Sequence, residues 1–186
     1  MINKGYIFHG YHSGPDANWF PWLEKQAKAK LGINLTRLSL PNPNDPNVKE
    51  WDAYADQHAP AEDNLVIIGH SLGVIAALRY INQHDIKHAR VILVSGFDEH
   101  LPLYPELDLW IEDPIKYADL NKKVDKATVF TAVDDLIVPY PYALAVARHL
   151  QSKAILYPKG GHLNKEDNNM TTFPDLLEEL TKMVKD

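Results

Sequence analysis

The 186-residue sequence contains no cysteine. That removes disulfides, thiolate nucleophiles and zinc–thiolate sites together, and it fits a reducing, cytoplasmic setting. Long hydrophobic runs are missing too: no window approaches the roughly 20 apolar residues of a membrane span. The opening MINKGYIFHG turns polar too early for a secretory leader, so no membrane association is expected. Positive charge is in deficit, 19 Lys and Arg against 25 Asp and Glu, for a net charge of −6. Without a local basic patch, that balance argues against a nucleic-acid partner. Internal repeats, low-complexity tracts and linkers are absent. What is present is a 45% share of hydrophobic residues, which supports one compact domain over residues 1–186 and leaves too little chain for two.

Short runs rich in β-branched and aromatic residues predict strands at Gly5–Phe8, Asn34–Leu38, Leu65–Ile68, Val91–Val94, Thr128–Thr131 and Ala154–Tyr157. Between them, helical periodicity covers Trp19–Leu31, Val48–His58, Leu72–Gln83 and Tyr142–Leu150, and a last helix over Phe173–Val184 closes the chain. The runs at 65–68 and 91–94 are apolar throughout, not alternating, as strands buried on both faces must be. The expected class is therefore α/β, a doubly wound, mostly parallel sheet of about six strands with helices on both faces and no large cap domain. LPNPNDPN at 40–47 is too proline-rich for helix or central strand and reads as a surface connection. From Asp98 to Asp125 the chain is longer than a plain crossover. It reads either as a lid or as an irregular connection with one helix near 114–120.

The strand at 65–68 runs into Gly69-His70-Ser71-Leu72-Gly73 and then a helix, which is G-x-S-x-G in strand–turn–helix context. Such a turn strains the serine backbone and needs glycines on either side, because side chains there collide with neighbouring elements. Ser71 is thereby placed at a helix N-terminus, where the helix dipole favours negative charge. A serine acting only as a helix N-cap would explain Ser71 but not both glycines. His70, inside the turn, is expected to point away from Ser71.

A serine hydroxyl needs a base. Of nine histidines, His162 is singled out by YPKGGHLNKED, where two glycines ahead of it let a loop after the last strand approach closely. His58, His84, His88, His100 and His149 sit in polar surroundings, at helix ends or in loops. The base needs an orienting carboxylate, and DDLIVP after the fifth strand offers Asp134 and Asp135. The apolar Leu136-Ile137-Val138 and Pro139 tuck the loop inward behind Asp135, while Asp134, one step earlier in extended chain, faces the other way to cap a turn or meet solvent. The chain order Ser71, Asp135, His162 is the one found on doubly wound hydrolase sheets. An oxyanion hole would use the backbone N–H of Leu72 and, from the loop HGYHSG after the first strand, that of Tyr11. His9 and His12 lack a third ligand, so no metal is expected.

Taken together, the early glycine-containing loop before WFPWLEKQ, VIIGHSLGVIAALRYI, VILVSGF, DDLIVP and the late GGH resemble the small single-domain serine hydrolases of the α/β-hydrolase superfamily related to retinoblastoma-binding protein nine. The resemblance spans nearly the whole chain. It implies a Ser71–His162–Asp135 triad acting on small acyl esters through an acyl-enzyme, without a cofactor. The rival reading is a non-catalytic binding or protein-interaction module on the same scaffold, against which the complete triad argues. Tyr11, Trp19 and Trp110 are candidate acyl-pocket residues, with Trp22 a further aromatic nearby. Because the chain is short, a shallow site preferring short acyl groups is expected.

Overall fold

The computed structural model describes residues 2–185. Six parallel strands form one sheet in the order β2-β1-β3-β4-β5-β6, with β1 Lys4–Phe8, β2 Asn34–Arg37, β3 Val66–His70, β4 Ala89–Val94, β5 Val124–Ala132 and β6 Lys153–Tyr157. The helices are α1 Phe20–Leu31, α2 Val48–His58, α3 Leu72–Gln83, α4 Tyr117–Lys123, α5 Tyr140–His149, α6 Lys165–Asn168 and α7 Pro174–Lys185. The doubly wound architecture expected from the apolar runs is the one observed.

Alternate side chains of the strands feed two cores. Tyr6, Phe8, Ile67, Val91, Leu93 and Val129 pack on one face with α2, α3 and α5. Ile7, Val66, Ile68, Ile92, Val94 and Phe130 pack on the other with α1 and α7. Full burial of such a side chain contributes roughly 1.5 to 3 kcal/mol, which is why uninterrupted apolar runs are kept in β3 and β4.

The longest strand, β5, begins four residues earlier than its apolar stretch. Its polar start is held by pairing to β4 and by the ion pair between Asp125 and Arg90 at 2.6 Å. Helix α2 starts where expected because Asn47 Oδ1 accepts hydrogen bonds from the Lys49 and Glu50 amides at 3.0 and 3.3 Å. In the long β4–β5 connection, α4 lies three residues later than expected, and a 3-10 turn over Pro105–Trp110 precedes it.

From β1 the chain first goes outward to β2, then crosses back to β3 and proceeds to β6. The loops after β1 and β3 therefore leave neighbouring strands in opposite directions. A crevice opens between them at the carboxyl ends of the strands.

Candidate active site

The first element of the crevice is the turn between β3 and α3. Ser71 has φ 57° and ψ −127°, a conformation that costs a residue with a side chain about 1 to 3 kcal/mol. The flanking glycines are needed for packing. A Cβ on Gly69 would lie 2.6 Å from Gly73 O, and one on Gly73 would lie 2.2 Å from Phe8 O. The start of α3 is thus pressed against the end of β1. The Ser71 side chain makes no capping bond to α3, so its hydroxyl is not spent on the helix. Gly10 comes as close on the other side: a Cβ there would be 2.8 Å from Ser71 Cβ and 3.3 Å from its Oγ. The Leu72 amide opens α3 and has no carbonyl within the helix to bond.

His162 arrives on the loop between β6 and α6, and both it and Asp135 are buried. Its Nδ1 lies 2.9 Å from Asp135 Oδ2 and 3.2 Å from Oδ1. A carboxylate only accepts, so Nδ1 carries a proton, and in the neutral tautomer this leaves the lone pair on Nε2. Asp135 Oδ1 also accepts from the Ile137 and Val138 amides, each at 2.9 Å. A buried carboxylate is tolerated only with partners of this kind. The adjacent Asp134 is exposed, so the two acids do face opposite ways. Asp134 is nonetheless engaged, accepting from the Gly160 and Gly161 amides at 2.8 and 2.9 Å.

His70 takes a part that the sequence reading missed. Far from being turned out of the site, it is buried beside His162, with ring centroids 4.9 Å apart, and its Nε2 donates to the His162 carbonyl at 3.0 Å. Burial, reinforced by the neighbouring His162, pushes its pKa down to about 3. His70 is therefore a neutral donor that holds the backbone of His162. The signal was its place at the end of a strand with both faces buried, which leaves no solvent for the ring.

Ser71, His70 and His162 line one cavity of about 280 Å³. Its apolar wall comes from Phe97, Leu101, Tyr104 and Leu107 of the β4–β5 connection, with Ile137 and Val138 after Asp135. Leu107 and Trp110, three residues apart on the 3-10 turn, fall on the same side of it, the spacing that aligns side chains on such a turn, and this was the overlooked signal in LPLYPELDLW. The polar part of the lining includes Ser13, Asn18, Asn164 and Glu166.

Of the aromatic candidates, Tyr11 lines the cavity, whereas Trp19 and Trp110 do not. Trp19 is fully buried under α1 and α7, and its Nε1 donates to Leu163 O at 3.1 Å, so it supports the histidine loop from behind. Trp110 is buried against Trp51, ring centroids 5.0 Å apart, and pins the β4–β5 connection to the other core. Both rings were more valuable as apolar area than as pocket lining. His9 is buried against Trp51, while His12 is exposed and bonds Asn44.

The serine hydrolase family model matches residues 5–182. The chain belongs to the serine hydrolase family. It is 30% identical over 184 residues to YdeN of Bacillus subtilis (strain 168), covering 97% of this chain and 96% of the relative. The crystal structure of the B. subtilis ydeN gene product superposes with a TM-score of 0.92 at 29% identity over 100% of both chains. Serine hydrolase RBBP9 of Rattus norvegicus is 24% identical over 184 residues, covering 97% of this chain and 95% of that protein. Est1E from Butyrivibrio proteoclasticus shares the fold at 15% identity with a TM-score of 0.73, covering 100% of this chain and 89% of that one. The fold is that of the α/β hydrolases, and among the described residues no helix is long and apolar enough to cross a membrane.

Proposed function

We propose that this serine hydrolase is a cytoplasmic carboxylesterase that cleaves small, uncharged acyl esters through a Ser71–His162–Asp135 triad. The observation that carries the reading is the 2.9 Å bond from His162 Nδ1 to buried Asp135, with Nε2 left free to act as base in a cavity shared with the uncapped Ser71 hydroxyl.

In this mechanism Ser71 Oγ attacks the ester carbonyl carbon while His162 Nε2 takes its proton. The amides of Leu72 and Tyr11 receive the oxyanion, supported by the close approach of Gly10 to Ser71. The imidazolium is stabilised by Asp135 and returns the proton to the departing alcohol. Water then enters and attacks the acyl carbon as it gives a proton to His162; the Ser71 Oγ–acyl bond breaks, His162 returns that proton to Oγ, and the acid leaves. The acyl group fits the wall of Phe97, Leu107 and Val138, and the alcohol faces Asn18 and Asn164. A cavity of 280 Å³ is at the small end for ligand sites, which favours short acyl groups. Among the described residues that line it none is a lysine or arginine, so a polyanionic acyl carrier finds no lysine or arginine to pair with there.

A fluorophosphonate probe is expected to modify Ser71, and Ser71→Ala to abolish both labelling and hydrolysis. Labelling that survives the substitution refutes the nucleophile. In the same assays, chromogenic esters of two to four acyl carbons should turn over faster than those of eight or more, and the reverse preference refutes the substrate assignment.

A further inference from the structure

Only one of the paired acids after β5 has a place in the chemistry above. Asp134 spends one oxygen on two amides far along the chain, those of Gly160 and Gly161. The next amide, that of His162 itself, bonds Asp167 Oδ2 at 2.9 Å. Three consecutive N–H groups leading into the base are therefore held by carboxylates, and Asp134 is the one of the two acids that ties this loop to the loop carrying Asp135.

The need for such a tether follows from the sequence. Paired glycines lose more conformational freedom on ordering than any other dipeptide, so the segment ahead of His162 is intrinsically mobile. They cannot simply be replaced. A Cβ on Gly160 would lie 2.7 Å from the Leu163 side chain, and Gly161 has φ 51°. The bond to Asp135 fixes one ring nitrogen, and Asp167 and His70 hold the His162 amide and carbonyl. Asp134 extends that hold to the two glycines that lead into them. A displacement of about 1 Å at a reacting group can cost about a hundredfold in rate.

We propose that Asp134 is a positioning residue: by gripping the Gly160 and Gly161 amides it sets where His162 Nε2 stands relative to the Ser71 hydroxyl. The inference rests on the triad reading given above. What matters is the acceptor oxygen, not the charge, because an asparagine in the same place offers the same Oδ1 to both amides while alanine offers nothing.

The test compares wild type, Asp134→Ala and Asp134→Asn on a short-chain aryl ester, with active sites counted by burst titration. Asp134→Ala is expected to lower kcat about 10- to 100-fold with KM nearly unchanged, and to slow fluorophosphonate labelling by the same factor. Asp134→Asn is expected to restore kcat to within about threefold and to leave the pH profile of kcat/KM in place. Asp134→Ser, too short to reach both amides, substitutes for the alanine variant if that chain does not fold. Wild-type kcat in the alanine or serine variant, a loss confined to KM, or an asparagine as poor as alanine overturns the inference. A wild-type protein that the probe does not label at Ser71 overturns the triad reading itself, so the two failures are distinguishable.

Discussion

The turn that carries Ser71 and the loop that carries His162 solve the same problem, holding one atom in place, by different means. At the serine the backbone is locked by packing: Gly69 and Gly73 let α3 press against β1, and φ of 57° follows from that contact. At the histidine the loop anchors Leu163 in the core, but the residues leading into His162 and its ring are held by polar bonds involving Asp134, Asp135, Asp167, His70 and Trp19. Packing of the first kind is strong, indifferent to salt and pH, and intolerant of a single added methyl group. Polar tethers are individually worth about 0.5 to 1.5 kcal/mol, or about 1.5 to 3 kcal/mol when charged. They can be lost one at a time without unfolding the chain. The two halves of the site should therefore fail differently.

Among changes to the supports of Ser71 and His162, the largest effect on rate is expected on the histidine side. Asp135→Asn replaces an acceptor by a group that can present an N–H to the imidazole and favours the wrong tautomer. The expected loss in kcat is about ten-thousand-fold. Stopped-flow rates per titrated active site, alongside a urea melt, measure rate and stability together, and the melt should shift little. An asparagine variant with more than a tenth of wild-type kcat would contradict the orienting role of Asp135 and erase the contrast with Asp134.

On the serine side the expected loss is in stability. Gly73→Ala brings a Cβ within 2.2 Å of Phe8 O and 2.5 Å of His9 O, both backbone atoms that cannot rotate away. Overpacking of this kind costs about 1 to 3 kcal/mol, and a clash with backbone atoms lies at the upper end of that range, read as a drop in the urea midpoint. If the alanine chain keeps the wild-type midpoint, the serine turn is not locked by close packing and the comparison collapses.

The same contrast explains how far the sequence could be read. The serine turn is local: strand, G-x-S-x-G and helix lie within a few residues, so the pentapeptide and its flanks are enough to place Ser71 and the limits of α3. The sheet was legible for a related reason, since strands buried on both faces leave uninterrupted apolar runs. Asp135 and His162 were recoverable because each sits just after a strand in a sheet whose order was predictable. Their supports were not. The bond from Asp134 to Gly160 and Gly161 spans 26 and 27 residues, and nothing in DD or GG names the other. Trp19 and Trp110 were misplaced because an aromatic near a helix end looks the same in sequence whether it lines a pocket or fills a core. The β4–β5 connection was undecided between lid and crossover because its apolar residues keep neither the period of a helix nor that of a strand, with Leu103 and Leu109 exposed among the buried Leu101, Leu107 and Trp110.

A smaller effect tests the polar side without touching Ser71, His162 or either aspartate. His70 is buried and neutral, with its pKa held at about 3 against 6.5 in the unfolded chain. Between those values the unfolded state carries the extra proton, so stability falls as pH drops below about 6.5, by up to about 1.4 kcal/mol per pH unit. Burial also lowers the pKa of His9, which adds to the fall in the same direction. His70→Gln keeps an N–H that can reach the His162 carbonyl but cannot take up a proton. The variant's stability, measured by urea denaturation from pH 7 to pH 5 where the carboxylates stay largely ionised, should therefore decline less steeply than that of the wild type. Equal slopes would mean that the ring beside His162 is not a dry, uncharged support.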